Sequence, residues 1–313
     1  MEKPINIVFM GTPDFAIPIL EALHDSPDRI CMVVTQPDRP KGRGRKTVPP
    51  PVKRAALNFG YPVFQPESIK SASAVEAVQE VAPDALVVVA FGQILPLELL
   101  SFPRFGAINL HASLLPRYRG PGPIQRAIIY GESMTGVTTM QMDRGMDTGD
   151  ILLTAETDID PDDTAATLHD RLSKLGADLV LKTLHDVKAG TIIPRPQDHS
   201  LSTYAPMLKK ADGRIDWSKT AVELDALLRG VTPWPGAFTF HEDKRLNILR
   251  ATPLPYTHPV EPGTVVPGFP DELRIAAGNG VLLIHEIQSA SGKKMKIDEF
   301  LRGHPMPAGT ILG

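Results

Sequence analysis

Short apolar runs alternate with helix-like patterns over roughly the first two thirds of the chain. Residues 5–10 and 30–35 are largely apolar, and apolar residues at three- and four-residue spacing between Phe15 and Leu23 predict a helix between two buried strands. Residues 85–91 are apolar without alternation, which is typical of a central strand covered on both faces. This order of elements predicts an α/β fold with a Rossmann-like, doubly wound and mostly parallel sheet.

The last third of the chain has a different pattern. Residues 190–208 contain three prolines and no sustained periodicity, which indicates a linker. A helical pattern at residues 222–228 is followed by short strand-like runs at residues 237–240, 246–249, 263–266, 273–276 and 281–287. Such runs, separated by Gly, Pro and Asp, indicate a small antiparallel β-barrel of the OB-fold-like type. We expect a first domain over residues 1–189, a linker over 190–208 and a smaller C-terminal barrel domain over 209–313.

The composition narrows the class of protein. The 313 residues are 42% hydrophobic and carry a formal net charge of -3, as a folded globular protein would. The single cysteine, Cys31, excludes a disulfide framework and a zinc site of the multi-cysteine kind, and its predicted place is a core strand. No targeting pattern opens the chain, and the longest apolar stretch, residues 85–100, is interrupted and too short to span a bilayer. We expect a cytoplasmic protein with no membrane association.

Polar residues that can support acyl transfer lie near the predicted edge of the sheet. The segment 107–111 alternates apolar and polar residues, so Asn109 and His111 should project from one face of a strand. The glycine-punctuated loop 142–150 could bring Asp147 beside His111. An amide, an imidazole and a carboxylate supply an oxyanion donor, a proton-transfer group and its partner. On this pattern alone, a structural role for the histidine is the more common one.

Two longer motifs make the chain resemble a known enzyme family. They are Asn109-x-His111-x-Ser113-Leu114-Leu115-Pro116-x-x-x-Gly120 and, after Gly136-Val137-Thr138, Asp143-x-Gly145-x-Asp147-x-Gly149. In spacing, order and glycine positions they resemble the formyltransferases that use 10-formyltetrahydrofolate. The likeness extends along essentially the whole chain, including Ile215-Asp216-Trp217 and Pro233-Trp234-Pro235-Gly236-Ala237 near the second domain.

The resemblance implies a role for each matching residue. Asn109 would hydrogen-bond the formyl oxygen, His111 would handle the proton as the tetrahedral intermediate collapses, and Asp147 would pair with His111. The formyl donor would be 10-formyltetrahydrofolate, and no metal would be required. The positions that the resemblance assigns to the folate are Phe91, Gln93, Ile94 and Leu95, then Ser113, Leu114, Leu115 and Pro116, and finally Asp143, Gly145 and Met146.

A basic segment lies at residues 39–46, where the cationic residues are Arg39, Lys41, Arg43, Arg45 and Lys46. Such a run is most often a solvated loop, but Arg and Lys also bind phosphates without reading sequence. The family members most similar to this chain act on methionyl initiator tRNA, and the resemblance implies that this loop enters the acceptor stem, with Arg43 at the position of an important arginine. From residue 209 onward, 13 Lys and Arg accompany 12 Asp and Glu, a balance that does not by itself indicate a nucleic-acid partner. The resemblance implies that the barrel binds tRNA, with Lys209 and Lys210 as candidate contacts.

Three other functions fit parts of the pattern. A formyltransferase acting on glycinamide ribonucleotide or an amino sugar nucleotide would share the catalytic residues, but a small acceptor needs neither a basic loop nor a barrel. A folate-linked hydrolase or dehydrogenase would need a further domain, and the turn at residues 11–14 has one glycine where a dinucleotide fingerprint has three. A tRNA-binding protein without catalysis would not need Asn109, His111 and Asp147. A monomer is the simplest expectation, since tRNA must reach both domains.

Overall fold

The computed structural model describes residues 3–41, 46–257, 260–290 and 292–313. The chain divides into two compact units. The first comprises Met1–Pro123, Met134–Asp158 and His169–Ala205, and the second comprises Ile124–Ser133, Ile159–Leu168 and Pro206–Gly313. In the described ranges, no helix is both long and apolar enough to cross a membrane.

The first unit contains a seven-stranded sheet and a separate two-stranded ribbon. Its strands are β1 (Asn6–Gly11), β2 (Arg29–Val34), β3 (Arg39–Lys41), β4 (Lys46–Val48), β5 (Val63–Phe64), β6 (Ala85–Val89), β7 (Ala107–His111), β8 (Met134–Gln141) and β9 (Ile151–Asp158). The large sheet has the order β5-β2-β1-β6-β7-β8-β9, and the ribbon pairs β3 with β4. The pairings from β5 through β7 are parallel, whereas β7–β8 and β8–β9 are antiparallel. This mostly parallel sheet confirms the predicted fold class.

Six helices connect these strands or follow them. They are α1 (Ile17–His24), α2 (Pro51–Asn58), α3 (Ala72–Glu80), α4 (Leu97–Ser101), α5 (Pro123–Ile129) and α6 (Ala165–Ala189). Prolines open α2 and lie in the first turn of α1, where a missing N–H breaks no helical bond. The long predicted amphipathic helix corresponds to α6, and Gly190 follows it with a φ of 69°. That left-handed conformation terminates the helix at little cost for glycine.

The centre of the sheet lies where the chain reverses its direction of winding. From β1 the chain adds β2 and β5 on one side and then crosses to β6 on the other. All five residues of β6 are buried, as their unbroken apolar sequence predicts. In doubly wound sheets the carboxyl ends of the strands at such a reversal form the crevice that holds ligands. The segments after Gly11 and Val89, at the β1–β6 reversal, are therefore the ones expected to border a ligand site.

In the described ranges, the second unit contains one antiparallel sheet and two further helices, besides nearly all of α5 and the first turn of α6. Its elements are α7 (Ala221–Gly230), β10 (Ala237–His241), β11 (Lys244–Leu254), β12 (Val265–Val266), β13 (Leu273–Ala276), β14 (Val281–Ser289), β15 (Met295–Lys296) and α8 (Ile297–Gly303). The order is β10-β11-β14-β13-β12, and β15 also pairs with β14. The sheet curls into a half-barrel, in agreement with the predicted barrel-like class.

The last described residues lie along the open side of this half-barrel. Val265 N donates to Thr310 O at 2.7 Å, and Leu312 N donates to Gly263 O at 2.9 Å beside β12. Gly313 N donates to Phe240 O of β10 at 3.0 Å. The segment 310–313 thus hydrogen-bonds both edge strands, which satisfies backbone groups that an open edge would leave exposed.

Two expectations from the sequence meet different structural detail. The structure divides this part of the chain between Ala205 and Pro206, so residues 190–205 belong to the first unit. The domain boundaries 1–189, 190–208 and 209–313 stay a prediction about which segments fold as domains. Cys31 lies in β2 as predicted, but it is half-buried and not in the core. Burial raises the pKa of its thiol above the ordinary value of 9.0, which keeps the thiol protonated at neutral pH.

Candidate active site

Strand β7 presents the two central residues of the site. It lies between β6, to which it pairs in parallel, and β8, to which it pairs antiparallel. Asn109 and His111 are two positions apart on this strand, so their side chains leave the same face. Their exposed fractions are 9% and 7%, so both groups are largely shielded from bulk water. The sheet therefore fixes the backbone of both residues from two sides.

The His111 imidazole has one nitrogen bound to the backbone and one beside a carboxylate. Nε2 lies 2.8 Å from the carbonyl oxygen of Tyr118. Because a carbonyl oxygen can only accept, Nε2 carries the hydrogen and donates it. Nδ1 lies 3.7 Å from Asp147 Oδ2. Nδ1 is therefore the nitrogen that can gain or lose a proton, and a carboxylate stands next to it.

Residues 118–120 connect the histidine to the aspartate. Tyr118 accepts the bond from His111, and Gly120 N donates to Asp147 Oδ2 at 2.8 Å. Tyr118 and Asp147 have φ values of 58° and 54°, a left-handed conformation that is costly for residues other than glycine. Such conformations persist only where surrounding contacts enforce them. The loop thus holds His111 and Asp147 in a fixed relation.

The Asn109 amide is available to a substrate. Among the residues that the structure describes, none hydrogen-bonds this amide, although the residue is 9% exposed. An amide N–H held in a partly dehydrated pocket can donate to an oxygen that develops negative charge. Asn109 can therefore donate a hydrogen bond to an oxyanion, on the same strand face as His111.

The loop that contains Asp147 is ordered by another carboxylate. Asp143 Oδ1 accepts from Gly145 N at 2.9 Å and from Thr148 Oγ1 at 2.7 Å, which folds the loop on itself. Gly149 is required there, since a Cβ at this position would collide with the carbonyl oxygen of Gln141. Met146 is 56% exposed at the tip of the loop. The structure thus uses Asp143 to shape the loop and leaves the Met146 side chain accessible.

The segment after β7 is held by Thr138 of the neighbouring strand. Thr138 Oγ1 donates to Ser113 O at 2.7 Å and accepts from Leu115 N at 3.1 Å. Ser113 is fully buried, and its hydroxyl donates to Arg117 O at 2.6 Å. Leu115 packs against Met140 and Ile151, whereas Leu114 and Pro116 are half-buried. The side chains of Ser113 and Leu115 therefore stabilise the turn.

Residues 91–95, which the resemblance assigns to the folate and its flat pterin ring, present mainly backbone groups to a ligand. Phe91 and Leu95 are 2% and 4% exposed and belong to the core of the first unit. Both ends of the Gln93 amide are used inside the protein, because Oε1 accepts from Ile69 N and Nε2 donates to Pro66 O. Ile94 is the exception, with 61% of its surface exposed. A flat ring bound here would meet peptide groups and the Ile94 side chain.

Thr12 and Gln36 were not among the residues predicted from the sequence, and their side chains hydrogen-bond the segment that follows β6. Thr12 Oγ1 donates to Phe91 O at 2.9 Å, and Gln36 Nε2 donates to the same oxygen at 3.2 Å. Gln65 Nε2 donates to Gln36 O at 2.8 Å. No local signal marks these residues, since each contact joins segments far apart in sequence. They fix the direction in which the chain leaves β6.

The basic residues are partly described. Arg39 is exposed on β3, 3.8 Å from Glu67, and the backbones of Lys41 and Lys46 pair across the β3–β4 ribbon. Arg43 and Arg45 lie outside the described residues. Lys209 and Lys210 are exposed near the start of the second unit's main segment. Within the described ranges, no group of three or more His, Cys, Asp or Glu is arranged to hold a metal ion.

Comparisons with known families place this site in a class. The family described as formyl transferase matches residues 5–184, and the formyl transferase C-terminal domain matches residues 207–305. The chain therefore belongs to the formyl transferase family. Among individual proteins, the methionyl-tRNA formyltransferase of Syntrophus aciditrophicus is 50% identical over 309 residues, which cover 99% of each chain.

Solved structures share the fold at low sequence identity. HypX from Aquifex aeolicus, in complex with tetrahydrofolic acid, has a TM-score of 0.61 and 17% identity over 96% of this chain. The chain spans about half of HypX, 47% of its length. An N-formyltransferase from Helicobacter canadensis, in complex with folinic acid and dTDP-3-aminofucose, has a TM-score of 0.65 and 20% identity; the match covers 93% of this chain and all of that one.

Proposed function

We propose that the chain transfers the formyl group of 10-formyltetrahydrofolate to the amino group of methionyl initiator tRNA. The product is N-formylmethionyl-tRNA, which serves translation initiation. The acceptor is supported by the full-length likeness to a methionyl-tRNA formyltransferase at 50% identity. The chemistry is supported by one observation above all: an Asn109 amide without a described partner lies on the same strand face as His111, which is beside Asp147.

In this reaction the methionyl amine attacks the formyl carbon directly. The carbonyl oxygen becomes negatively charged, and the Asn109 amide donates a hydrogen bond to it. The amine loses a proton to Nδ1 of His111, and Asp147 stabilises the resulting imidazolium. The carbon–nitrogen bond to the folate then breaks, and the departing nitrogen receives a proton from the same imidazole. His111 ends the cycle neutral, with Nε2 still bonded to Tyr118.

For the formyl donor, we propose a site along residues 91–95 and 143–146. The support is physical: the reversal between β1 and β6 forms a crevice, and the backbone of residues 91–95 leaves β6 beside it. Exposed Ile94 and Met146 offer apolar surface to a pterin ring. Ser113, Leu114, Leu115 and Pro116 would border the site as the turn that directly follows His111. Phe91, Gln93 and Leu95 hold residues 91–95 from the core.

For the tRNA, we propose the basic segment and the start of the second unit. Arg39, Lys41, Arg43, Arg45 and Lys46 would contact phosphates of the acceptor stem, and Lys209 and Lys210 would contact the rest of the molecule. These contacts position the substrate without reading bases, so the choice of initiator over elongator tRNA must come from additional features. We expect the protein to act as a monomer in the cytoplasm.

The deciding experiment compares acceptors. Purified protein is given 10-formyltetrahydrofolate and methionyl initiator tRNA, with elongator methionyl-tRNA and glycinamide ribonucleotide in parallel reactions. We expect formylation of the initiator alone. Transfer to glycinamide ribonucleotide alone would keep the roles of Asn109, His111 and Asp147 and refute the tRNA assignment. Absence of transfer to every acceptor would refute the proposed function.

A further inference from the structure

Gln197 is a buried residue whose amide is fully used, and all its partners lie around Asp147. Its exposed fraction is 6%. Nε2 donates to the carbonyl oxygens of Asp147 and Gly149, at 3.0 and 2.7 Å. Oε1 accepts from Nε and Nη2 of Arg119, at 3.1 and 2.6 Å. We propose that Gln197, anchored by Arg119, is a positioning residue that sets the Asp147 carboxylate relative to His111.

The conformation of Asp147 explains why such a residue is needed. Its φ of 54° is in the left-handed region, which an L-residue keeps only where contacts hold it there. The Asp147 side chain receives a single bond that the structure describes, from Gly120 N. The two carbonyl contacts from Gln197 restrain the backbone on both sides of Thr148, so they determine where the carboxylate points.

Arg119 joins this restraint to the histidine. It lies between Tyr118, which accepts the His111 bond, and Gly120, which donates to Asp147. Its guanidinium holds Gln197, and its Nη1 also lies 3.1 Å from His199 Nδ1. One side chain therefore links the loop that contacts both site residues to the glutamine that restrains Asp147.

The chain after α6 supports the same loop through its backbone. Arg119 N donates to Thr203 O, and Ala205 N donates to Arg119 O. Thr203 Oγ1 accepts from Tyr118 N at 2.8 Å. Residues 197–205 thus form part of the catalytic unit, although their sequence predicts a linker.

Glutamine is the side chain that these contacts require. The site needs two donors toward carbonyl oxygens at one end and an acceptor toward a guanidinium at the other. Glutamate has nearly the same shape and would keep the Arg119 contact as an ion pair. It would, however, place a second acceptor oxygen against the two carbonyl oxygens. Gln197→Glu therefore removes the restraint on Asp147 without removing the anchor.

The test rests on the proposed function and measures formyl transfer to methionyl initiator tRNA as a function of pH. We expect Gln197→Glu to lower kcat about tenfold to hundredfold, because small displacements of catalytic groups have effects of this size. The KM for 10-formyltetrahydrofolate should stay within about twofold, because Gln197 acts only through Asp147 and His111, which transfer the proton in the transition state. The pH dependence of kcat should move along the pH axis, since the carboxylate no longer lies at its native distance from the imidazole.

Controls separate positioning from general stability. Gln79→Glu makes the same chemical change on α3 and should leave kcat and its pH profile unchanged. If Gln197→Glu does not fold, Arg119→Met replaces it in the test, because this variant removes the anchor of Gln197 and should have the same effect on kcat and its pH profile. A wild-type pH profile and kcat in the folded variants would overturn the inference, and so would a loss of kcat that is equal at every pH. Failure of the wild-type protein to formylate would instead refute the proposed function.

Discussion

At the scale of single residues, the Asn109 amide is a polar group of the site that the described chain leaves without a hydrogen-bond partner. Asn109 is 9% exposed, and no described residue hydrogen-bonds its amide. An incoming formyl oxygen supplies the missing acceptor, and it does so best once negative charge has developed.

Asn109→Ala should therefore damage turnover more than binding. Removing one oxyanion donor typically lowers kcat about 10²- to 10³-fold, and we expect a loss in that range with a nearly unchanged KM for the folate. Steady-state formylation of methionyl initiator tRNA provides the measurement. Asn58→Ala, an exposed change on α2, is the matched control. A variant with raised KM and wild-type kcat would contradict the oxyanion role.

The sequence predicts the features of this site that depend on local periodicity, and it does not predict contacts between residues far apart in the chain. Alternation along a strand places Asn109 and His111 on one face, because the side-chain period of a strand is two residues. The contact between His111 and Asp147 depends on a loop 36 residues further on; the glycine-punctuated pattern of that loop allowed the contact, and the resemblance assigned it. Gln197 gives no local signal, because its bonds reach residues about 50 and 78 positions away.

At the scale of elements, the apolar runs and helical periods predicted most strands and helices, including the short strands β10, β12 and β13 of the second unit. The helix α6 and the strands β1, β2 and β6 follow from periodicity and apolar runs. In the antiparallel strand β9, Leu153 and Ala155 alternate with polar Thr154, Glu156 and Asp158, a sequence signal that could have identified a strand with one exposed face. The helix α8 has seven residues, too few for a clear period, and β15 has two, and neither was predicted. The position of β15 depends on its pairing with β14.

A capping box at the start of α7 gives a pH-dependent prediction at this scale. Glu223 N donates to Thr220 Oγ1, and the Glu223 carboxylate accepts from Thr220 N and its hydroxyl. These bonds hold the pKa of Glu223 below its ordinary value of 4.5. Because the folded-state pKa is lowered, the stabilisation is present above the ordinary pKa and is lost as pH falls through the folded-state value.

Glu223→Gln should therefore lower the free energy of unfolding near neutral pH and have a vanishing effect in acid. Urea titrations followed by tryptophan fluorescence report on the second unit, which contains Glu223 and both tryptophans, buried Trp217 and exposed Trp234. Glu261→Gln, an exposed change in the same unit, is the control and should have little effect at either pH. A destabilisation by Glu223→Gln that persists below the folded-state pKa would show that the cap does not act through the carboxylate.

The basic segment at residues 39–46 gives a second prediction for an element. Arg43→Ala should lower formylation of methionyl initiator tRNA, mainly through a weaker tRNA interaction, while binding of the folate is unchanged. Raising the salt concentration should reduce the difference between the variant and the wild type, because screening weakens the phosphate contacts of both. Arg54→Ala, an exposed change on α2, serves as the control. Equal loss of folate binding and formylation would refute a tRNA-specific role.

At the scale of the whole molecule, each unit has its own hydrophobic core. In the first unit, Val8, Met10, Leu86 and Val88 pack with residues of the helices beside the sheet. In the second unit, Trp217 and strand residues form a separate cluster that includes Leu312. Independent cores allow domains to unfold as separate cooperative units. Both tryptophans, Trp217 and Trp234, belong to the second unit, so their fluorescence follows that unit alone.

Leu312→Ala tests whether the segment 310–313 stabilises the half-barrel as the hydrogen bonds beside β12 and β10 indicate. Leu312 is 2% exposed, and truncating a buried leucine typically costs about 2–5 kcal/mol. In a unit of this size the midpoint of the tryptophan transition should fall by about 10 °C or more. Leu57→Ala, at a residue 56% exposed on α2, should leave that midpoint unchanged. Far-UV circular dichroism of Leu312→Ala should retain a transition at the wild-type temperature from the first unit. If both signals shift together, the two units unfold as one, and the half-barrel depends on more than its own core.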